Sequence, residues 1–167
     1  MSDSTNICLA CGLCCEGVLI GFVHLSKDEI PALKKIMEIE EEGGQGFFLQ
    51  PCKKYCDGCT IYSERPKQCG YFDCDLLTAV DKNELEFDIA VDIIEDVKQK
   101  KEVLDKKVLQ LKVHLKSQSF YFKMVELKNL LEKTKATSSL SELQLDVLSD
   151  LKQLDSLLLE RFGVTLN

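Results

Sequence analysis

The sequence contains no tryptophan, two histidines and three prolines in 167 residues. Cysteine is missing from the last 93 residues, and neither glycine nor proline interrupts the 92 residues between Gly70 and Gly163. Each scarcity excludes something. With only His24 and His114, acid–base chemistry would fall to carboxylates or thiols. No Ser–His–Asp set, P-loop or GxGxxG is present. The longest uncharged apolar stretch near the start runs from Gly17 to Val23. That is far below the roughly 20 residues of a membrane span, so no membrane partner is expected. The opening Met-Ser-Asp-Ser-Thr-Asn-Ile has no basic segment and no apolar run. It does not read as a signal peptide, so a cytoplasmic protein is expected. The net charge of −7 argues against a general binder of nucleic acid. Apolar residues at 45% and charged residues at 29% exclude a wholly disordered chain.

What is present divides the chain in two. All nine cysteines lie between Cys8 and Cys74. In the cytoplasm thiols stay reduced, so such a cluster points to metal binding or redox chemistry rather than disulfides. The odd count also fits a closed disulfide set poorly. The composition predicts a cysteine-cluster domain over 1–80 and a helical domain or arm over 81–167. The expected fold is mainly α, with a small, loop-rich, metal-stapled α+β N-terminal segment and a C-terminal antiparallel helical bundle or hairpin.

Within the first half, Val18 to Leu25 reads as a strand and Phe47 to Leu49 as a short one. Ser26 to Glu29 reads as a capping box opening a helix that Gly43, Gly44 and Gly46 end. The acidic residues Glu38, Glu40, Glu41 and Glu42 read as its solvated end. Residues 50–75 are expected to lack regular structure. In the second half, Ala90, Val97, Leu104 and Leu111 repeat every seven residues. Ile94, Val108 and Leu115 sit four residues after three of them, a helical stripe. A second helix fits Ser119 to Thr134, with Phe120, Met124, Leu127 and Leu131 on one face. A third fits Leu140 to Phe162, with Leu140, Val147, Leu151, Leu154 and Leu158 inward and Gly163 as its stop.

The cysteines come in two runs: Cys8-x2-Cys11-x2-Cys14-Cys15 and Cys52-x3-Cys56-x2-Cys59-x9-Cys69-x4-Cys74. A two-residue spacer lets the chain turn back so that two sulfurs face one ion, at about 2.3 Å for zinc. Soft thiolates select zinc, copper(I) or iron–sulfur clusters. Neighbouring side chains diverge. Cys14 and Cys15 therefore serve different ions or bridge a cluster. Residues 98–135 hold eleven bases and four acids, with Phe120-Tyr121-Phe122 among them. The lysines fall mostly off the apolar stripe, so they read as a solvated face and nucleic acid is not an expected partner. The C-terminal helices are the surface open to an unknown protein partner.

These residues resemble the YkgJ-type cysteine-cluster family, which is named for a CxxCxxCC motif and described as a zinc- or iron-chelating domain. Cys8 to Cys15 match that motif. The family's second part is matched by Cys52, Cys59-Thr60-Ile61-Tyr62, Arg65-Pro66-Lys67-Gln68-Cys69, Phe72 and Cys74. The resemblance covers about residues 8–75 and says nothing of 81–167. It implies a metal-ligand set of Cys8, Cys11, Cys14, Cys15, Cys52, Cys59, Cys69 and Cys74. Cys56 has no counterpart, although Cys56-Asp57-Gly58-Cys59 is a good knuckle by itself, so it stays as a substitute or ninth ligand. Zinc is the default for a small stable module. The alternative is an iron–sulfur cluster in a redox protein or an accessory component of a modifying enzyme. Cys8, Cys11 and Cys14 share bacterial ferredoxin spacing but lack its Cys-Pro end. Arg65 is expected to offset thiolate charge or to fix its loop through carbonyl groups. Nothing in the chain points to an enzyme acting alone.

Overall fold

The computed structural model describes residues 3–167, with side chains from residue 7. The elements run α1 (Asp3–Cys11), β1 (Phe22–Leu25), α2 (Ile30–Leu33), β2 (Glu40–Glu42), β3 (Gln45–Leu49), a 3-10 turn (Tyr62–Glu64), α3 (Lys67–Tyr71) and α4 (Asp75–Asp81). The long helices α5 (Phe87–Leu111), α6 (Phe120–Thr137) and α7 (Glu142–Phe162) follow. The chain is mainly α, with one small antiparallel sheet in the order β1-β3-β2.

The three long helices follow from their apolar periodicity. Ala90, Ile94, Val97 and Leu104 of α5 are buried, as are Phe120, Met124, Leu127 and Leu131 of α6. Val147, Leu151, Leu154 and Leu158 of α7 join them, with Leu148 and Phe162. Ser119 caps α6, accepting from the Phe122 amide, and Ser141 with Gln144 forms a capping box on α7. Lys107, late in α5, pairs with Asp146 at 2.6 Å and Asp150 at 2.5 Å, early in α7. Tyr121, early in α6, donates its hydroxyl to the Thr165 carbonyl beyond α7 at 2.9 Å. Both helices therefore run antiparallel to α7. Among the described residues, no helix is long and apolar enough to cross a membrane.

Several local expectations need correction. The first strand begins only at Phe22, because Val18 and Leu19 turn inward and join the helical core. Glu29 does reach back to the Ser26 amide at 2.9 Å, but the helix spans only Ile30–Leu33. Glu40 to Glu42 form the exposed edge strand β2 rather than a helix end. Gly43 and Gly44, at φ +59° and +78°, supply the two left-handed residues of a tight hairpin into β3. Three carboxylates on a sheet edge discourage pairing with another strand. Residues 50–75 contain a 3-10 turn and α3. His114 and Leu115 lie beyond α5, which ends at Lys112 in a left-handed conformation. The following loop is tied to α6 by Glu126, whose carboxylate accepts from the Lys116 and Ser117 amides and the Ser117 hydroxyl.

Two apolar clusters result. The larger joins α4, α5, α6 and α7 to Ile7, Leu13, Val18 and Leu19 of the cysteine-rich half. The smaller consists of Val23, Leu25, Leu33 and Phe48, between the sheet and α2. The Tyr121 amide donates to the Gly17 carbonyl at 2.7 Å, fastening the start of α6 to the turn after α1.

Candidate metal centre

Helix α1 places Cys8 and Cys11 one turn apart, hence on one face. Gly12 ends the helix at φ +70°, a conformation glycine adopts without steric cost. The chain then turns sharply. The Glu16 amide donates to Gly12 and the Gly17 amide to Cys14. This turn presents Cys14 and Cys15. The Cys52 amide donates to the Cys15 carbonyl at 2.7 Å, drawing the second cysteine run against the first. Cys59 arrives through a short bridge with Tyr55, Cys69 on α3 and Cys74 as the residue that opens α4.

All eight cysteines of the expected ligand set line one cavity of about 240 Å³. Cys56 is exposed and does not line it. Its amide bonds the Gly58 carbonyl, so the 56–59 knuckle forms but turns only Cys59 to the cavity. All nine cysteines are free thiols. His24 lies on β1 with its ring edge-on to Phe22 at 4.7 Å and takes no part in the cavity. His114 is exposed.

The thiols fall into two neighbourhoods. Burial raises Cys14 well above its ordinary pKa, and the thiols of Cys11, Cys74, adjacent Cys15 and Cys8 add to the repulsion in that order. Cys11 is pushed up to about 12 by burial, partly offset by the Leu13 amide and Lys98. Cys15 is also pushed to about 12 by burial, but its next neighbours are Cys52, Cys59 and Cys69. Cys69 reaches about 12 by burial and by Cys52 and Cys59. Burial likewise raises Cys8, Cys52 and Cys74. The amides at the start of α4 pull Cys74 back in part. One neighbourhood thus holds Cys8, Cys11, Cys14 and Cys74, and the other Cys15, Cys52, Cys59 and Cys69.

Among the described residues, no three Cys, His, Asp or Glu side chains are close enough to hold a single ion in this structure. The donor chemistry nevertheless fits thiolate-bound metal. Eight soft sulfurs share a cavity in which burial penalises their negative charge until a cation shares it. Arg65 answers part of that charge, lowering Cys8 in one neighbourhood and Cys69 in the other. It also donates to the Tyr62 carbonyl at 2.9 Å and stacks 3.8 Å above the Tyr62 ring. The carbonyl bond is the loop-fixing role expected of Arg65, and its charge favours a thiolate in each neighbourhood.

Two further residues, Tyr55 and Gln50, line the cavity, and Lys98 braces it from outside. The Tyr55 hydroxyl covers Gly12 so closely that a Cβ there would lie 2.0 Å from it. Gln50 is 2% exposed, lines the cavity and leaves its Oε1 without a partner. Lys98 of α5 reaches the Ala10 carbonyl at 3.3 Å, beside Cys11. Gly12, inside a cysteine spacer, could be read as a turn residue but not as the seat of Tyr55. Nothing in the sequence ties Lys98 to α1 across 88 positions. Comparison with protein-family models, curated proteins and solved structures finds no match to this chain.

Proposed function

We propose that this protein binds metal through its cysteine cluster, in one or two thiolate-ligated centres. Cys8, Cys11, Cys14, Cys15, Cys52, Cys59, Cys69 and Cys74 are the donors, as the resemblance to the YkgJ-type family also implies. One observation carries the reading: these eight line a single cavity and the ninth, Cys56, does not. A bound metal supplies cross-linking here. It replaces part of the core that a short, cysteine-rich segment lacks. The residues around it orient and neutralise, Arg65 by charge and Tyr55 by covering the first knuckle. The protein acts in a reducing compartment, the cytoplasm, where nine thiols stay free. An unknown protein partner would meet the C-terminal helices.

Zinc is the default ion. A specific observation favours the second reading, an iron–sulfur cluster in a redox or accessory role. Cys8, Cys11 and Cys14 carry the spacing of a bacterial ferredoxin run, and all three line the cavity with the other five donors. Anaerobic purification followed by analysis for zinc, iron and acid-labile sulfide tests both. Zinc without sulfide is the expected result. Brown protein with iron and sulfide in equal amounts supports the cluster. A chain that takes up neither overturns the proposal.

A further inference from the structure

We infer that the cavity holds two separate centres rather than one shared cluster, and that each belongs to a different core of the molecule. The helix-side centre takes Cys8, Cys11, Cys14 and Cys74, and the sheet-side centre takes Cys15, Cys52, Cys59 and Cys69. This rests on the metal-binding reading above and adds its nuclearity and partition.

Packing carries the division. Cys11, Cys14 and Cys74 pack against the large helical core. Cys8 shares the face of α1 with Cys11, and α1 packs against α4, which Cys74 opens. Cys52 and Cys69 instead pack against the small cluster of Val23, Leu25, Leu33 and Phe48. Cys15 is tied to Cys52 through its carbonyl, Cys59 bridges Tyr55, whose amide donates to the Cys52 carbonyl at 3.1 Å, and Cys69 rides on α3, which packs on β1. The boundary therefore falls at the peptide joining Cys14 to Cys15. Adjacent side chains diverge there, so two neighbouring sulfurs feed two different sites. A single cluster would have to draw donors from both cores at once. Arg65 stands where two such centres would need a counter-charge. It lines the cavity together with both groups and is held there by the Tyr62 carbonyl at 2.9 Å.

Cadmium titration of the full, reduced, metal-free chain under anaerobic conditions tests this, read by thiolate-to-cadmium absorbance and by elemental count. The expected uptake is two cadmium ions per chain. Cys74→Ser and Cys59→Ser should each lose half of it, and Cys56→Ser none. Far-UV circular dichroism checks that each variant keeps its helices. Should a variant unfold, cadmium NMR of the unsubstituted chain gives the answer, with two tetrathiolate resonances expected. Uptake of one cadmium, a single resonance, or loss of all uptake in either folded variant overturns the partition while leaving metal binding standing. No uptake at all overturns both.

Discussion

The two halves of this chain hold themselves together by different means. Residues 87–162 build three helices whose inward faces are almost wholly buried, with Leu104, Leu127, Leu154 and Leu158 at 0% exposure. Residues 20–70 have a far smaller core of their own, four buried apolar residues between a three-stranded sheet and a single helical turn. Eight thiols line the cavity between that small core and the helical one. Where apolar surface is plentiful, burial at roughly 25 cal/mol per Å² is enough to hold helices together. Where it is scarce, a segment needs cross-links. The contrast teaches that the cysteines stand at the seam where the large helical core gives way to the small one.

The sharpest way to break this comparison is to remove metal from the loaded protein. A strong chelator should expose residues 20–70 to proteolysis while most of the helical dichroism persists. An unchanged digestion pattern would sink it. Removal should also reverse the pH dependence. In the metal-free chain Cys11, Cys15 and Cys69 sit at about 12, against an ordinary 9.0. The folded state then holds protons that the unfolded state releases, so stability present below pH 9 declines as pH rises toward 12. Metal binding releases thiol protons, so the loaded protein should instead weaken as pH falls. Urea titrations across pH, with and without metal, read both signs.

Next in size is a cavity in the helical half. Leu154→Ala should lower stability by about 3 kcal/mol in urea unfolding, because Leu154 is fully enclosed. Gly12→Val tests the cysteine half. A branched side chain at φ +70°, against the Tyr55 hydroxyl, should cost about 2 kcal/mol and lower metal uptake. A variant that folds and loads normally would show that this turn does not position the thiols. Smallest is Ser141→Ala, which removes the α7 cap and should cost about 1 kcal/mol. That loss should appear in thermal unfolding without altering metal content.

Legibility differed in the same way. The inward faces of α6 and α7 could be read closely, since a helix repeats its environment every turn and a local pattern suffices; Leu140 is the exception, half-buried ahead of α7. Glu40 to Glu42 could not. Charge alone does not tell a solvated helix end from an exposed strand, and only pairing with Gln45 to Phe47 decided it. Val18 and Leu19 looked like strand residues but bury against helices that lie far along the chain. Tyr55, Gln50 and Lys98 entered the site through contacts between segments that no spacing announces.

By itself, the sequence determined the helical half, the two cysteine runs and the glycine that lets the first knuckle turn. These are properties of short windows, set by periodicity, backbone freedom and spacing. Tertiary structure alone decided that two distant cysteine runs line one cavity and that Cys56 stays outside. It also decided that Cys14 and Cys15, adjacent in the chain, lie beside different thiol groups. The reason is physical: which sulfurs become neighbours depends on which core each segment packs against, and packing is settled between segments rather than within them.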